Sequence, residues 1–222
     1  MALTFYGHPL SSYTHKVLIA LYETGADFTF HQIDLSKPED RDLMASLTPM
    51  GKMPALRDDA TGVTLAESAV MIEWLDLHHP GPAPLLPRDP DAALQARMWN
   101  SIFDYHVMRE AQQIVDARLF MDEGALEIVS PFARASLDRA YAAIDRHMAD
   151  RDWAAGDFGL ADCAATPALF YGGFLHPFDA YPNLAAYFER LVARPSVARV
   201  LDGAKPCLHM FPFPDRIPER FR

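Results

Sequence analysis

The sequence predicts a mixed α/β unit followed by an all-helical unit. Strand-like and helical segments alternate in the first third of the chain, and only helical periodicity appears in the rest. Between them runs Pro80-Gly81-Pro82-Ala83-Pro84-Leu85-Leu86-Pro87-Arg88-Asp89-Pro90, a proline density that neither a helix interior nor a strand interior tolerates. The expected division is a first domain over 1–80, a linker over 81–90 and a helical domain over 91–222.

Leu3-Thr4-Phe5-Tyr6 reads as a short strand. From Ser11 onward Val17, Leu18, Leu21 and Tyr22 fall at helical spacing until Gly25 ends them. Phe28 to Ile33 alternates as a strand does, and a weaker helix covers about Asp40 to Leu47. Ala55 to Asp58 and Val63 to Leu65 flank the turn Asp58-Asp59-Ala60-Thr61-Gly62, and a helix follows from Glu67 to His78. After the linker, Leu94, Met98, Ile102 and Tyr105 mark a long helix. Leu137, Tyr141, Ile144 and Met148 mark a second, expected to start near Pro131 because proline suits a first helical turn. Leu160 to Phe174 is apolar nearly all round, which predicts the central helix of a bundle. Asn183 to Ala193 and Ser196 to Leu201 complete the expected set.

Composition narrows the function classes. Half of the 222 residues are hydrophobic and 23% are charged, as in soluble globular proteins. No apolar run reaches the roughly 18 residues that a bilayer span needs, and the N-terminus lacks the pattern of a secretion signal, so a cytoplasmic address is expected. Acids outnumber bases 30 to 20, for a net charge of -10, which disfavours nucleic acid because affinity for the phosphate backbone comes from clustered Lys and Arg. Cys163 and Cys207 are too few for a disulfide framework or a zinc site; no metal is expected, and Cys163, set in an apolar run, reads as a core residue.

The most informative run is Thr48-Pro49-Met50-Gly51-Lys52-Met53-Pro54-Ala55-Leu56, followed by Glu67-Ser68 at the start of a helical pattern. With Ser11-Ser12-Tyr13-Thr14-His15-Lys16-Val17, Trp153-Ala154-Ala155-Gly156-Asp157-Phe158-Gly159-Leu160-Ala161-Asp162, Tyr181-Pro182-Asn183-Leu184 and Ala193-Arg194-Pro195-Ser196-Val197, it makes the whole chain resemble the cytosolic glutathione transferases, in particular bacterial-like members of the serine type. The resemblance implies a thioredoxin-like N-terminal domain joined to a helical bundle, a homodimer, glutathione as cosubstrate, a small-molecule electrophile as partner, and a part in detoxification. One position departs from it. Family members carry Ser or Thr where this chain has Gly159, which still allows Asp162 to accept from the Gly159 N–H.

By the same resemblance, Met53 precedes a cis proline, Pro54, and pairs by its main chain with the cysteinyl part of the tripeptide. Ser68 donates to the γ-glutamyl carboxylate at a helix N-terminus, Glu67 accepts from the γ-glutamyl ammonium, and Lys52, with Lys37 as a weaker candidate, meets the glycyl carboxylate. A free cysteine thiol titrates near pH ~8.5, so lowering it by about two units requires roughly 2.7 kcal/mol of preferential stabilisation of the thiolate. A hydroxyl donor plus the first helix's N-terminus supplies that much. Ser11, placed before Lys16 and Val17 as in serine-type members, is the favoured activator; Tyr6, at the end of the first strand, and Ser12 are the alternatives. Leu10, Tyr105, Met108 and Arg109 are the candidates for an electrophile pocket.

Three other activities are compatible with the resemblance: a noncatalytic interaction module, a glutathione-dependent isomerase and a peroxidase. The Ser11-Ser12 run resembles the opening of the zeta class, but Tyr13 stands where that class has Cys, which disfavours the isomerase.

Overall fold

The structure is a computed structural model that describes residues 3–222; the first two residues of the 1–80 domain lie outside the described residues. Its N-terminal part runs β1 (Leu3–Gly7), α1 (Ser12–Thr24), β2 (Phe28–Gln32), α2 (Pro38–Leu47), β3 (Ala55–Asp58), β4 (Thr64–Leu65) and α3 (Ser68–His78). The strands form one sheet in the order β2-β1-β3-β4. β2 lies parallel to β1, with Leu3 opposite Phe28, and β3 and β4 are antiparallel, with Tyr6 opposite Ala55 and Leu56 opposite Leu65. Period-two alternation sorts β1: Leu3 and Phe5 go into the main core, and Tyr6 packs on the other face against the small cluster of Ile33, Met44 and Ala55.

Register fixes where the loops emerge. The C-terminal ends of β1, β2 and β4 and the N-terminal end of β3 share one end of the sheet, so the segments 8–11, 33–37, 49–54 and 66–68 all open there.

The C-terminal part is helical: α4 (Pro90–Ile102), α5 (Arg109–Leu119), α6 (Ala125–His147), α7 (Leu160–Leu175), α8 (Pro182–Ala193) and α9 (Pro195–Ala204). Leu94 and Met98 mark α4 but lie on its exposed side; the buried side is Ala93, Ala96, Trp99 and Asn100. The long first helix runs beyond Tyr105. It passes through wide π turns at Phe103–Met108, all with right-handed helical backbone at the joints, and continues as α5. Pro131 is not a first-turn residue, because α6 starts at Ala125 behind Gly124 (φ 89°) and carries the proline inside. Beyond α9, short 3-10 turns bury Leu208, Phe211, Ile217 and Phe221 against the bundle; only isolated apolar residues in a Pro-rich tail signalled this segment.

α7 is buried on nearly every side, as its composition predicts. Its start explains the missing Ser or Thr. Asp162 accepts from the Gly159 N–H (2.9 Å), the Ala154 N–H (2.9 Å) and the Tyr187 hydroxyl (2.5 Å), so the carboxylate half of the cap is intact. The hydroxyl half is impossible here: a Cβ on Gly159 would stand 2.3 Å from the carbonyl oxygen of Leu85. That carbonyl accepts from the Leu160 N–H (2.8 Å), and the Leu85 N–H donates to buried Asp76 (2.7 Å). The Pro-rich segment is therefore seated between α3 and α7 at a contact that leaves no room for a side chain.

Ion pairs join the halves, among them Glu73 of α3 with Arg97 of α4 at 2.7 Å. Lys16 of α1, with no solvent exposure, pairs with Asp104 of the π turns at 2.6 Å, and Glu23 receives both Nε and Nη2 of Arg194 at 2.7 Å while Arg194 stacks 3.8 Å from the ring centre of Phe158. Burial pulls the Lys16 ammonium below its usual range, and Asp104 opposes that pull.

Gly159→Ser will lower unfolding free energy by about 1–3 kcal/mol in urea denaturation, because overpacking outweighs the few tenths of a kcal/mol a serine cap adds. Asp104→Asn will cost about 3–5 kcal/mol by the same measurement, since it leaves a buried ammonium without its partner. The double variant Lys16→Met with Asp104→Leu will be less destabilised than Asp104→Asn alone.

Candidate active site

The end of the sheet where the four segments open gathers most of the residues singled out in the sequence. Ser11 is the N-cap of α1, in extended conformation, and its Oγ accepts from the Thr14 N–H at 3.3 Å. An accepting hydroxyl keeps its own proton to donate, and the accepted bond polarises it toward donation. Ser11 thus presents one O–H donor at the positive end of a helix. Ser12 is the first residue within α1 and half-buried, whereas Tyr6 lies on the α2 side of the sheet with its ring 5.2 Å from His31.

The loop before Ser11 is held from several sides. The Ser11 N–H donates to the His8 carbonyl (2.9 Å), the Leu10 N–H to His8 Nδ1 (3.1 Å), and the His8 N–H to Thr14 Oγ1 (3.3 Å). From the helical half, the Tyr171 hydroxyl of α7 donates to the Leu10 carbonyl (2.9 Å), and His15 Nε2 contacts the Pro9 carbonyl (2.5 Å). His15 is fully buried against Phe170 and Tyr171; burial pushes its imidazole down to about 4, so near neutral pH it is uncharged, with Nε2–H as donor to Pro9 and Nδ1 unpartnered. Gly7 fits because a Cβ there would meet Thr14 Oγ1 at 2.5 Å.

Across the sheet end the Met53–Pro54 peptide is cis, as the resemblance implies. Gly51, at φ 62°, makes the turn before it, and the buried hydroxyl of Thr48 holds that turn through the Lys52 carbonyl (3.1 Å). Glu67 has φ 66° and ψ 113°, an uncommon state for a residue with a side chain that costs on the order of 1–3 kcal/mol. It stands immediately before α3, whose first residue, Ser68, is buried. With the Met71 N–H bonded to the Glu67 carbonyl, the N–H groups before it in α3 have no acceptor within the helix.

The other candidates are placed less closely. Lys52 is exposed, and Lys37, before α2, is exposed and 3.9 Å from Asp34. Leu10 packs partly buried at the loop, Tyr105 (60% exposed) and Arg109 face solvent, and Met108 is buried in the bundle core.

Tyr13 was given no place in the site from the sequence, where it entered only in the Ser11–Val17 run and as the residue in place of the zeta-class Cys. It lies where α1 meets the π turns; burial, with the charges of Asp104, Tyr105 and Glu67 behind it, pushes its phenol up to about 12, so it stays a protonated donor. Asp104 and Tyr171 were missed as well. A lone acid and a lone aromatic on helices carry no signal until packing brings them to α1. Cys163 is fully buried, its thiol pushed up by burial and next by Asp162, as a core residue should be. Among the described residues no group of His, Cys, Asp and Glu is arranged to hold a metal ion, and no helix is long and apolar enough to cross a membrane.

Comparisons with known proteins agree with this architecture. Residues 5–83 match the profile described as glutathione S-transferase, N-terminal domain, and residues 91–190 match the C-terminal domain. A stringent starvation protein A homolog of Coxiella burnetii is 31% identical over 76% of this chain and 75% of its own length. Glutathione S-transferase F13 of Arabidopsis thaliana is 26% identical over 91% of this chain and 96% of its own. Among solved structures, a glutathione S-transferase of Methylobacterium radiotolerans in complex with glutathione sulfonate superposes with a TM-score of 0.76 at 32% identity, covering 90% of this chain and 94% of that one. Both halves of the chain, in the order and with the sheet and bundle described above, belong to the glutathione S-transferase family.

Proposed function

We propose that the chain binds glutathione at the open end of its sheet, lowers the pKa of its thiol through Ser11, and directs the thiolate at an electrophilic carbon of a small molecule. The observation that carries this reading is the convergence, at one end of one sheet, of a serine N-cap with a free proton, a cis Met53–Pro54 bond and a strained Glu67 beside buried Ser68.

The roles follow from chemistry. The Met53 backbone pairs with the cysteinyl main chain, Ser68 and the first N–H groups of α3 take the γ-glutamyl carboxylate, Glu67 takes the ammonium, and Lys52 and Lys37 stand nearest to the glycyl end. Ser11 donates to the sulfur, a charge-assisted bond of about 1.5–3 kcal/mol, with the α1 N-terminus adding to it. Tyr6 is disfavoured by its placement on the α2 face. Leu10, Tyr105 and Arg109 border the electrophile's side, Tyr13 adds a protonated phenol there, and Met108 supports that wall from the core. In this reading residues 1–80 bind glutathione, 81–90 link, and 91–222 supply the electrophile side. The setting is cytoplasmic, and the outcome is removal of reactive electrophiles.

The protein is a homodimer in this reading, built on an exposed apolar face. Val70 and Leu77 on α3 and Leu94 and Met98 on α4 are 44–67% exposed, and the Glu73–Arg97 pair (2.7 and 2.9 Å) ties the two helices between them.

Ser11→Ala will raise the apparent pKa of bound glutathione, followed by thiolate absorbance, by about one unit or more, equivalent to about 1.4 kcal/mol. Tyr6→Phe will leave it unchanged; the opposite pattern transfers the role to Tyr6. Leu77→Asp combined with Met98→Asp will convert the dimer to a monomer in light scattering at micromolar concentration, with helical circular dichroism retained. A wild-type chain that is already monomeric removes the dimer from the account.

A further inference from the structure

Tyr13 is the second residue of α1, and its hydroxyl is not committed to the fold. The phenols of Tyr171 and Tyr187 donate to the Leu10 carbonyl and to Asp162, whereas that of half-buried Tyr13 donates to no protein group among the described residues. Lys16, three residues on and so on the same face of α1, is bonded to Asp104 of the π turns at 2.6 Å. Tyr13 therefore stands one turn before that ion pair, where α1 meets the π turns, with Tyr105 next in sequence to Asp104. Side chains on a helix lean toward its N-terminus, so the phenol leans toward the turn that Ser11 caps.

Its neighbours set the phenol between the two sides of the site. Glu67, at the start of α3, and Tyr105, on the side of the helical half, are both near enough for their charges to act on it. Asp104 is taken up by Lys16, and in the transferase reading Glu67 is taken up by the γ-glutamyl ammonium, so neither acid claims the Tyr13 proton. Burial first, then the charge of Asp104, pushes the phenol up to about 12, and it stays protonated throughout the neutral range. Tyr105 is 60% exposed and shares its hydrogen bonds with water; Tyr13 is the drier donor.

A fixed neutral donor does little for a displacement whose charge departs on a halide, but it stabilises an oxygen that turns negative as the sulfur bonds to carbon. Resting on the transferase reading, we propose that Tyr13 is a further catalytic residue, whose hydroxyl hydrogen-bonds the carbonyl oxygen of an α,β-unsaturated ketone or aldehyde while the glutathione thiolate attacks the β-carbon. The S–C bond forms, the C=C pair moves to join the α-carbon to the carbonyl carbon, and the carbonyl π pair moves onto oxygen. The Tyr13 O–H holds that enolate charge and keeps its own proton. Water then protonates the α-carbon, replacing the proton that the thiol released to solvent, and nothing is oxidised or reduced. An unsaturated carbonyl separates the attacked carbon from the charged oxygen, which suits a sulfur held by Ser11 and a donor held by Tyr13 on the same first turn.

Benzalacetone and benzyl chloride are the probes, since displacement on the second places charge on no oxygen. Tyr13→Phe will lower kcat for benzalacetone by roughly 10- to 100-fold with KM little changed, and will lower the ratio of kcat/KM for benzalacetone to that for benzyl chloride by at least about tenfold. Tyr105→Phe will lower that ratio less, because an exposed phenol competes with water for the same oxygen. The apparent pKa of bound glutathione, read by thiolate absorbance, will be the same in Tyr13→Phe as in the unaltered chain, which separates activation of the electrophile from activation of the sulfur. The substitution deletes one oxygen that has no protein partner, so the melting temperature will match as well. Equal losses on both electrophiles, no loss on benzalacetone, a larger effect of Tyr105→Phe, or a shifted thiol pKa would each overturn the proposal. An unaltered chain that conjugates benzyl chloride but not benzalacetone overturns it alone; one that conjugates neither overturns the transferase reading with it.

Discussion

A lysine buried in α1 cannot keep its charge without a partner, and here the partner comes from the other half of the chain. The 2.6 Å contact between Lys16 and Asp104 fixes α1 against the helical bundle one turn beyond the N-cap Ser11. Tyr171 and His15 then hold the Leu10 and Pro9 carbonyls, so the loop that aims the serine hydroxyl is shaped jointly by both halves. Such an arrangement removes the loop's freedom before any ligand arrives, which is the preorganisation that stabilising a developing anion demands.

The π turns at Phe103–Met108 belong to the same constraint. Widening the helix by one residue per turn shifts the side chains that follow, and it does so where Asp104 must meet Lys16 and where Tyr105 stands near Tyr13. Wide turns of this kind cost helical geometry and recur at functional sites. Here they coincide with a buried ion pair, Lys16 with Asp104.

Much of this was legible in the residues. Gly25 ends α1 where its position suggested, the turn at Asp58–Gly62 separates β3 from β4, and the all-apolar run at Leu160 is the central helix. The cis peptide came from the resemblance, since spacing alone does not distinguish cis from trans proline. What stayed hidden has a common physical cause: it depends on partners distant in sequence. Leu94 and Met98 mimic a buried stripe because exposed and buried faces share one period. Pro131 looks like a helix start because nothing in its own residue type shows that α6 has already begun at Ala125. Gly159 reads as a weakened cap until Leu85 is seen to occupy the space of its Cβ. Asp104 and Tyr171 gain a role only when α1 packs on their helices.

The central claim is that Ser11, cis Met53–Pro54 and Glu67–Ser68 form one preorganised glutathione site. A crystal structure of the chain with glutathione bound tests it most directly. The account predicts the sulfur within hydrogen-bond distance of Ser11 Oγ, the cysteinyl main chain paired with Met53, and the γ-glutamyl carboxylate at Ser68. A tripeptide whose sulfur contacts Tyr6 instead, or that binds outside the open end of the sheet, would contradict it.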